Sequence, residues 1–359
     1  MNDILVLSTA QDSEWQSWLE RSCQYDFYHL PSYHLTAEQM GEGEAKLVVF
    51  THEKYFVALP VLLRPISAIE GLERVGSQWT DATSVYGYAG PVSSHEQLPV
   101  EFSNLFQEAL TSILRKMNVI ALFSRLHPLI KQESILTGLG ELAWLGETVS
   151  IDLTLSPDAQ RKQYRRDHKY GINKLIRAGV VFEEDIEWAF LDEFVEIYRD
   201  NMQRVNAEDY YMFDRSYFLN LQKSLGSRLR LFHCWFEDRI VCSGLFVCCN
   251  GIVQYHLSGT RSSDLDLSPM RLLVDGVRRW AMQRGETVLH LGGGLGAQKD
   301  SLFEFKAGFS DRRHSFGVWK WVLLPHIYRE LINLRADFAQ SDGEKFNSSG
   351  FFPAYRASK

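Results

Sequence analysis

The sequence has no Cys-x-x-Cys pair, no zinc-ligand spacing, no Walker loop and no Gly-x-Ser-x-Gly elbow. Metal sites, P-loop chemistry and the α/β-hydrolase nucleophile are therefore set aside, and no metal is expected. Its five cysteines (Cys23, Cys234, Cys242, Cys248, Cys249) are an odd number. Cys242 and Cys248 fall on one face of a strand-like run, so these thiols read as small core side chains. No stretch reaches the roughly 18 apolar residues of a membrane span, and the start, Met1 to Leu5, lacks a basic segment leading into an apolar one. A cytoplasmic protein without an integral membrane segment is expected. Positive charge is short as well: 38 Lys and Arg face 45 Asp and Glu, a net charge of −7. This excludes a general nucleic-acid coat and leaves room only for a local basic patch.

What the chain does have is length and apolar material. Its 359 residues, 45% apolar and 13% aromatic, are more than one core usually holds, so two domains are expected. Apolar spacing predicts helices within 12–40, a strand pair at 47–50 and 55–63, a helix over 99–117 and a strand at 119–126. The order then repeats. Ser156-Pro157 opens a helix that closes near Gly179, with serine as N-cap and proline at the first helical position. A helix at 188–204 follows, then a meander of 229–236, 240–249 and 252–258 with an Asn250-Gly251 turn. Ser268-Pro269 starts a further helix, which Gly285 ends, and a strand at 287–291 comes next. A strand at 316–323, a helix at 325–338 and a polar, loosely held tail from Gln340 complete the chain.

That second short strand runs into Gly292-Gly293-Gly294, where a ligand can approach the main chain closely. Lys306 follows between Phe305 and Phe309. A lone lysine framed by aromatics beside a glycine turn either stabilises negative charge or snorkels from a tight turn. Asp300, Glu304 and His290 are candidate proton acceptors. Asp300 also reads as a cap of the next turn, and His290 alternates with apolar neighbours as a core histidine would. The helix from Asp158 to Arg177 carries seven Lys or Arg against two Asp. It reads either as a phosphate-binding face or as a solvated one. A Rossmann reading of Gly292-x-Gly294 lacks the helix opening and the acidic residue about 20 positions on.

Meander, loop, helix, strand is the order of a GNAT acyltransferase core. Two such orders in one chain resemble the FemABX family, tandem GNAT aminoacyltransferases of peptidoglycan precursors, and FemAB-like relatives encoded with surface-polysaccharide genes. The resemblance rests on Thr148 to Leu153 with Tyr164-Arg165-Arg166 and Ile172-Asn173-Lys174. It rests further on Pro269 to Ala281, on Leu291-Gly292-Gly293 with Phe305-Lys306-Ala307-Gly308-Phe309, and on Gly90-Pro91-Val92. It implies an α+β fold of two GNAT-like domains, each a mixed twisted sheet flanked by helices: 1–147 completed by 318–359, and 148–317. It implies transfer of an aminoacyl group to an amine of a nucleotide- or lipid-linked cell-envelope precursor, in peptidoglycan or surface-polysaccharide biosynthesis. Lys306 and Asp300 would be catalytic. Arg204, Arg165, Arg166 and Lys169 would hold phosphates, and Gly292, Gly293, Gly294, Phe305 and Tyr88 would line the substrate.

There are departures from the family's pattern. Ser93 and Ala89 stand where it often has an acidic and a basic residue, and no lysine lies near His34. The stretch Thr260 to Ser268, where an ordinary GNAT has a glycine-rich pyrophosphate loop, has no glycine and two aspartates. The helix that follows still offers free N–H groups. No resident cofactor is expected, and the donor is either aminoacyl-tRNA or acyl-CoA. Two alternatives stand beside this reading: an acyl-CoA-dependent N-acyltransferase acting on a nucleotide sugar or polysaccharide, and a non-catalytic sugar-nucleotide-binding protein.

Overall fold

The computed structural model describes residues 2–341, 346–348 and 350–357. The chain divides into one compact unit of residues 1–145 with 316–359 and a second of residues 146–315. The first opens with β1 (Asn2–Ser8), α1 (Asp12–Glu20) and α2 (Pro31–Gln39), followed by β2 (Glu44–His52), β3 (Tyr55–Pro65), β4 (Thr80–Thr83) and the short β5 (Val92–Ser93). Helix α3 (Val100–Lys116) buries Phe102, Phe106, Leu110 and Leu114, one stripe at four-residue spacing, and carries Glu101 in its first turn and Arg115 and Lys116 in its last. Those charges complement the helix dipole. Strand β6 (Val119–Arg125) and the single-turn α4 (Glu133–Leu136) lead to β7 (Glu141–Asp152).

In the second unit the basic segment forms two helices, α5 (Pro157–Lys162) and α6 (Arg166–Arg177), where the sequence suggested one. Tyr164 causes the break: its ring is buried and its hydroxyl donates to Asp275 at 3.0 Å. The Ser156 hydroxyl caps α5 by accepting from the Ala159 N–H. Then come β8 (Val181–Glu184), α7 (Leu191–Arg204), α8 (Arg215–Leu225), β9 (Leu229–Phe236), β10 (Arg239–Cys249), β11 (Ile252–Thr260), α9 (Met270–Gln283), β12 (Val288–Gly292) and α10 (Ser301–Ala307). Strand β13 (Arg312–Val322) and helix α11 (Pro325–Ser341) follow.

The two units share one plan. In the first, the strand order is β1-β2-β3-β4-β6-β13; in the second it is β8-β9-β10-β11-β12-β7. Neighbouring strands are antiparallel except β4 with β6 and β11 with β12, which are parallel. A parallel pair needs a crossover, and α3 and α9 supply it. The sixth strand of each sheet is displaced in sequence, β13 following the second unit's elements and β7 preceding them. Helix α9 lays Leu272, Leu273, Val277 and Ala281 on Val149, Val253, Leu289 and Leu291 of the second sheet. In the first unit Phe102, Phe106 and Leu110 cover Val48, Phe50 and Leu59.

The expectation of a loosely held tail is corrected for its described residues. Tyr355 is fully buried, its hydroxyl donates to Asp81 Oδ2 at 3.1 Å, and Arg356 also donates to that carboxylate. Asp81 is itself buried and held by Arg64 at 2.8 Å, so one aromatic ring and one shared carboxylate outweigh a polar composition. Residues 342–345, 349 and 358–359 lie outside the described set.

Two histidines of the first unit give it an acid limit. Burial lowers the pKa of His29 from 6.5 to about 3, with His127 nearby adding to the effect, and burial lowers that of His34 from 6.5 to about 4. Below pH 6.5 the unfolded chain takes up protons that the folded one refuses, so stability is full above that pH and declines as pH falls. A urea midpoint that decreases steadily from pH 6.5 to about 4 is expected. In a His29→Gln/His34→Gln variant that slope should flatten.

Candidate active site

The parallel pair β11 and β12 is joined at only three register positions: Ile252 with Val288, Val253 with Leu289 and Gln254 with His290. Beyond them β11 continues to Thr260, while β12 parts from it and stays paired with β7 as far as Gly292. A register shift against β7 between His290 and Gly292, and the left-handed φ of +75° at Gly292, turn the chain away. The strands part at that point and leave a wedge whose sides are Tyr255 on β11 and the glycine turn after β12. Main-chain groups of β11 that would have paired with β12 face this wedge.

Lys306 occupies it. Its Nζ donates to the Gly293 carbonyl at 2.6 Å and lies 5.7 Å from the centre of the Tyr255 ring. The lysine comes from α10, which is held on three sides. Phe303 and Phe309 are buried, the Phe305 ring meets Phe309 edge-on at 5.4 Å, and His168 Nε2 bonds the Phe305 carbonyl at 2.9 Å. Burial lowers the Lys306 pKa from 10.5 to about 8, against the pull of the Asp300 charge. Below about pH 8 the group is mainly an ammonium, and above it mainly a neutral amine.

Asp300 sits differently from a proton acceptor. It is the N-cap of α10: Oδ1 accepts from the Phe303 N–H at 2.8 Å and Oδ2 from the Leu295 N–H at 3.0 Å. Burial raises its pKa, but these bonds and the Lys306 charge outweigh that and leave it below the usual value. Both oxygens are committed and the carboxylate is a weakened base, so its role is to hold the turn. A β-carbon on Gly294 would lie 2.1 Å from the Gln298 carbonyl and 2.3 Å from Asp300 Oδ1. Gly294→Ala is therefore expected to dislodge the cap, costing roughly 1–2 kcal/mol. It should reduce any Lys306-dependent activity more than it lowers the melting temperature, and a calorimetric scan beside an activity assay would check both.

The remaining expected site residues are dispersed. Arg165, N-cap of α6, reaches Glu304 at 3.3 Å and so borders α10. Arg166 is exposed on α6, and Lys169 Nζ donates to the Lys162 carbonyl at 2.9 Å. Arg204 is engaged by the protein itself, through the Thr260 carbonyl at 3.3 Å, Ser262 Oγ at 2.9 Å and Asn201. It ties the end of α7 to the end of β11 rather than standing open for phosphate. Tyr88 belongs to the first unit and packs on Tyr28, His127 and Phe316. The Gly90-Pro91-Val92 stretch beside it is bracketed by the Gln132 amide, which donates to the carbonyls of Ala89 and Pro91.

Sequence reasoning missed Tyr255. Burial pushes its pKa up to about 12, and its hydroxyl pairs with Ser258 Oγ at 2.5 Å. Nothing in the local pattern marks it; only the parting of β11 from β12 does. His290 is buried with Nδ1 at 2.6 Å from Gln254 Oε1, the core role its alternation suggested. The expectation of free N–H groups at the start of α9 is corrected. Those of Arg271 and Leu272 bond the carbonyls of Ser268 and Pro269, at 3.3 and 2.9 Å. Asp264, one of the two acids of that loop, is neutralised by both guanidinium nitrogens of Arg239.

The acetyltransferase (GNAT) domain model matches residues 162–306. A crystal structure of FemX superposes with a TM-score of 0.71 at 13% identity, covering 91% of this chain and 99% of that one. The chain has a FemX-like tandem GNAT fold. The C-terminal domain of a putative lysylphosphatidylglycerol synthetase from Agrobacterium fabrum is similar, with a TM-score of 0.54 at 14% identity over 90% of this chain and 98% of that one. So is L-PGS from Bacillus licheniformis, at 0.53 and 13% over 88% and 94%. No curated protein sequence matches. In the tandem GNAT fold the matched domain lies within the second unit and its match ends on Lys306, the residue that fills the wedge.

Proposed function

We propose that this protein is an acyltransferase that moves an aminoacyl group from an activated ester to an amine of a cell-envelope precursor. The observation that carries the reading is the Lys306 ammonium, held at the Gly293 carbonyl where β11 and β12 separate. Attack of an amine on an ester forms a tetrahedral oxyanion, and a preorganised cation beside it lowers the barrier. The donor's acyl carbonyl would enter the wedge, its oxygen displacing the Gly293 carbonyl from Lys306. The nitrogen–carbon bond forms, the carbon–oxygen bond of the ester breaks, and the proton lost by the amine passes through solvent to the departing oxygen, which leaves as the alcohol. The FemX-like fold and the putative lysylphosphatidylglycerol synthetase neighbour, whose name denotes a lysyl group joined to phosphatidylglycerol, support an aminoacyl donor.

Coenzyme A is the second reading, favoured by the acetyltransferase description of the matched domain. The occupied N–H groups of Arg271 and Leu272 weigh against it, since pyrophosphate binding at a helix start needs them free. Melting-temperature shifts with acetyl-CoA, with UDP-sugars and with charged tRNA separate the two, because a ligand of the native state must raise the midpoint. A shift with charged tRNA and none with acetyl-CoA supports aminoacyl transfer; the reverse moves the protein to CoA-dependent N-acylation.

A further inference from the structure

Strand β8 stops at Glu184, and the chain turns through Trp188 into α7. A cleft of about 450 Å³ lies between that turn, the end of α8 and the start of β9. Strands β10 and β11 stand between β9 and β12, and the cleft shares no lining residue with the Lys306 site. Leu229 and Leu231, both buried, form part of its wall, and Trp188 lines it as well. Trp188 has a left-handed φ of +56°, which so bulky a residue keeps only where its neighbours enforce it. Asp185 does so: its carboxylate accepts from the Ala189 and Phe190 N–H groups at 2.9 and 2.8 Å.

The charged lining is one-sided. Asp185 is committed to that turn, and Glu184 is bound by Trp280 Nε1 at 2.7 Å, Arg230 at 3.2 Å and Arg284 at 3.5 Å. The two lining cations have capacity left. Lys223 is exposed and meets no carboxylate among the described residues. Arg230 Nε is buried and has no hydrogen-bond partner among them. Glu183 and Glu187, the exposed acids nearest in the chain, do not line the cleft.

We propose that this cleft binds a small organic anion with an apolar body, a carboxylate or a phosphate monoester. Lys223 and Arg230 donate to the anion's oxygens, and Trp188, Leu229 and Leu231 pack on the body. Ammonium and guanidinium groups only donate, so they select a ligand that accepts. A buried guanidinium N–H without a partner costs free energy until an acceptor reaches it. The volume is that of a small-molecule site. The cleft is separate from the wedge at Lys306, and the inference does not rest on the acyl-transfer reading.

The test is calorimetric titration of the full chain with phenylacetate, phenyl phosphate and the neutral phenylacetamide. Saturable binding of one or both anions is expected, at least about tenfold tighter than the amide. The tighter anion tells a carboxylate ligand from a phosphate one. Lys223→Met should weaken the anion about tenfold or more, at an unchanged melting temperature because Lys223 is exposed. Trp188→Gly removes the ring and suits the left-handed backbone, and it should weaken binding too. Lys306→Met should leave binding as it is. Failure of both anions to bind would overturn the proposal, as would an amide that binds as tightly as they do. Anion binding that survives both Lys223→Met and Trp188→Gly would also overturn it, and its loss in Lys306→Met would move the anion to the wedge. Loss of transfer activity with anion binding retained would instead count against the acyl-transfer reading alone.

Discussion

Replacing Lys306 by methionine is expected to lower kcat by ~10²–10³, with a much smaller change in KM, the signature of a group whose interaction strengthens only as the oxyanion forms. Methionine keeps the apolar stem and removes the charge, so α10 should stay in place. The pH dependence supplies an independent check. Because burial brings the Lys306 pKa from 10.5 down to about 8, the ammonium that stabilises the oxyanion is present below that pH and lost above it. The wild-type rate should fall as pH rises through about 8, and this limb should vanish in Lys306→Met. Lys306→Arg keeps a cation but not its size or its easy loss of a proton. It should recover part of the rate and none of the alkaline limb. Full transfer activity in the methionine variant would refute the catalytic role.

The largest loss of stability is expected from Asp275→Ala, about 3–5 kcal/mol. Asp275 and Arg278 expose only 1% and 2% of their surface. Asp275 Oδ1 accepts from Arg278 Nη2 at 3.1 Å and from the Tyr164 hydroxyl at 3.0 Å, and Oδ2 faces Arg279 at 3.4 Å. Removing the carboxylate leaves a buried guanidinium with the Gln160 side chain, at 2.9 Å, as its remaining polar contact among these. The cost arises from the stranded charge rather than from the strength of the pair, which a second variant can show. Asp275→Leu with Arg278→Leu leaves no charge behind and should recover most of the loss, measured as the urea midpoint. Tyr164 anchors the break between α5 and α6, so Asp275→Ala should also loosen α6.

Much of this was legible because local rules and the final fold agree. The Ser156-Pro157 start, the Asn250-Gly251 turn and the four-residue stripe of α3 are nearest-neighbour chemistry, and each element stands within a few residues of its expected place. Where long-range contacts compete with local pattern, the reading diverged. The basic helix breaks because Tyr164 reaches a carboxylate on α9, more than a hundred residues away. The tail packs down because Tyr355 and Arg356 find Asp81 in β4. Asp300, read either as a base or as a cap, is the cap of the helix that carries Lys306. Arg204 bonds Thr260 and Ser262 at the end of β11, a contact no local pattern announces.

The sequence by itself determined the two repeats of meander, crossover helix and strand, the glycine turn, and the single lysine between phenylalanines that follows it, since these depend on periodicity and on residue types the backbone requires. The tertiary structure alone decided that β11 and β12 pair at three positions and then part, that Lys306 stands in the opening against Tyr255 and the Gly293 carbonyl, and that burial there lowers its pKa. Strand register and burial are properties of elements distant in sequence, and no local pattern encodes the environment that such elements create when they meet.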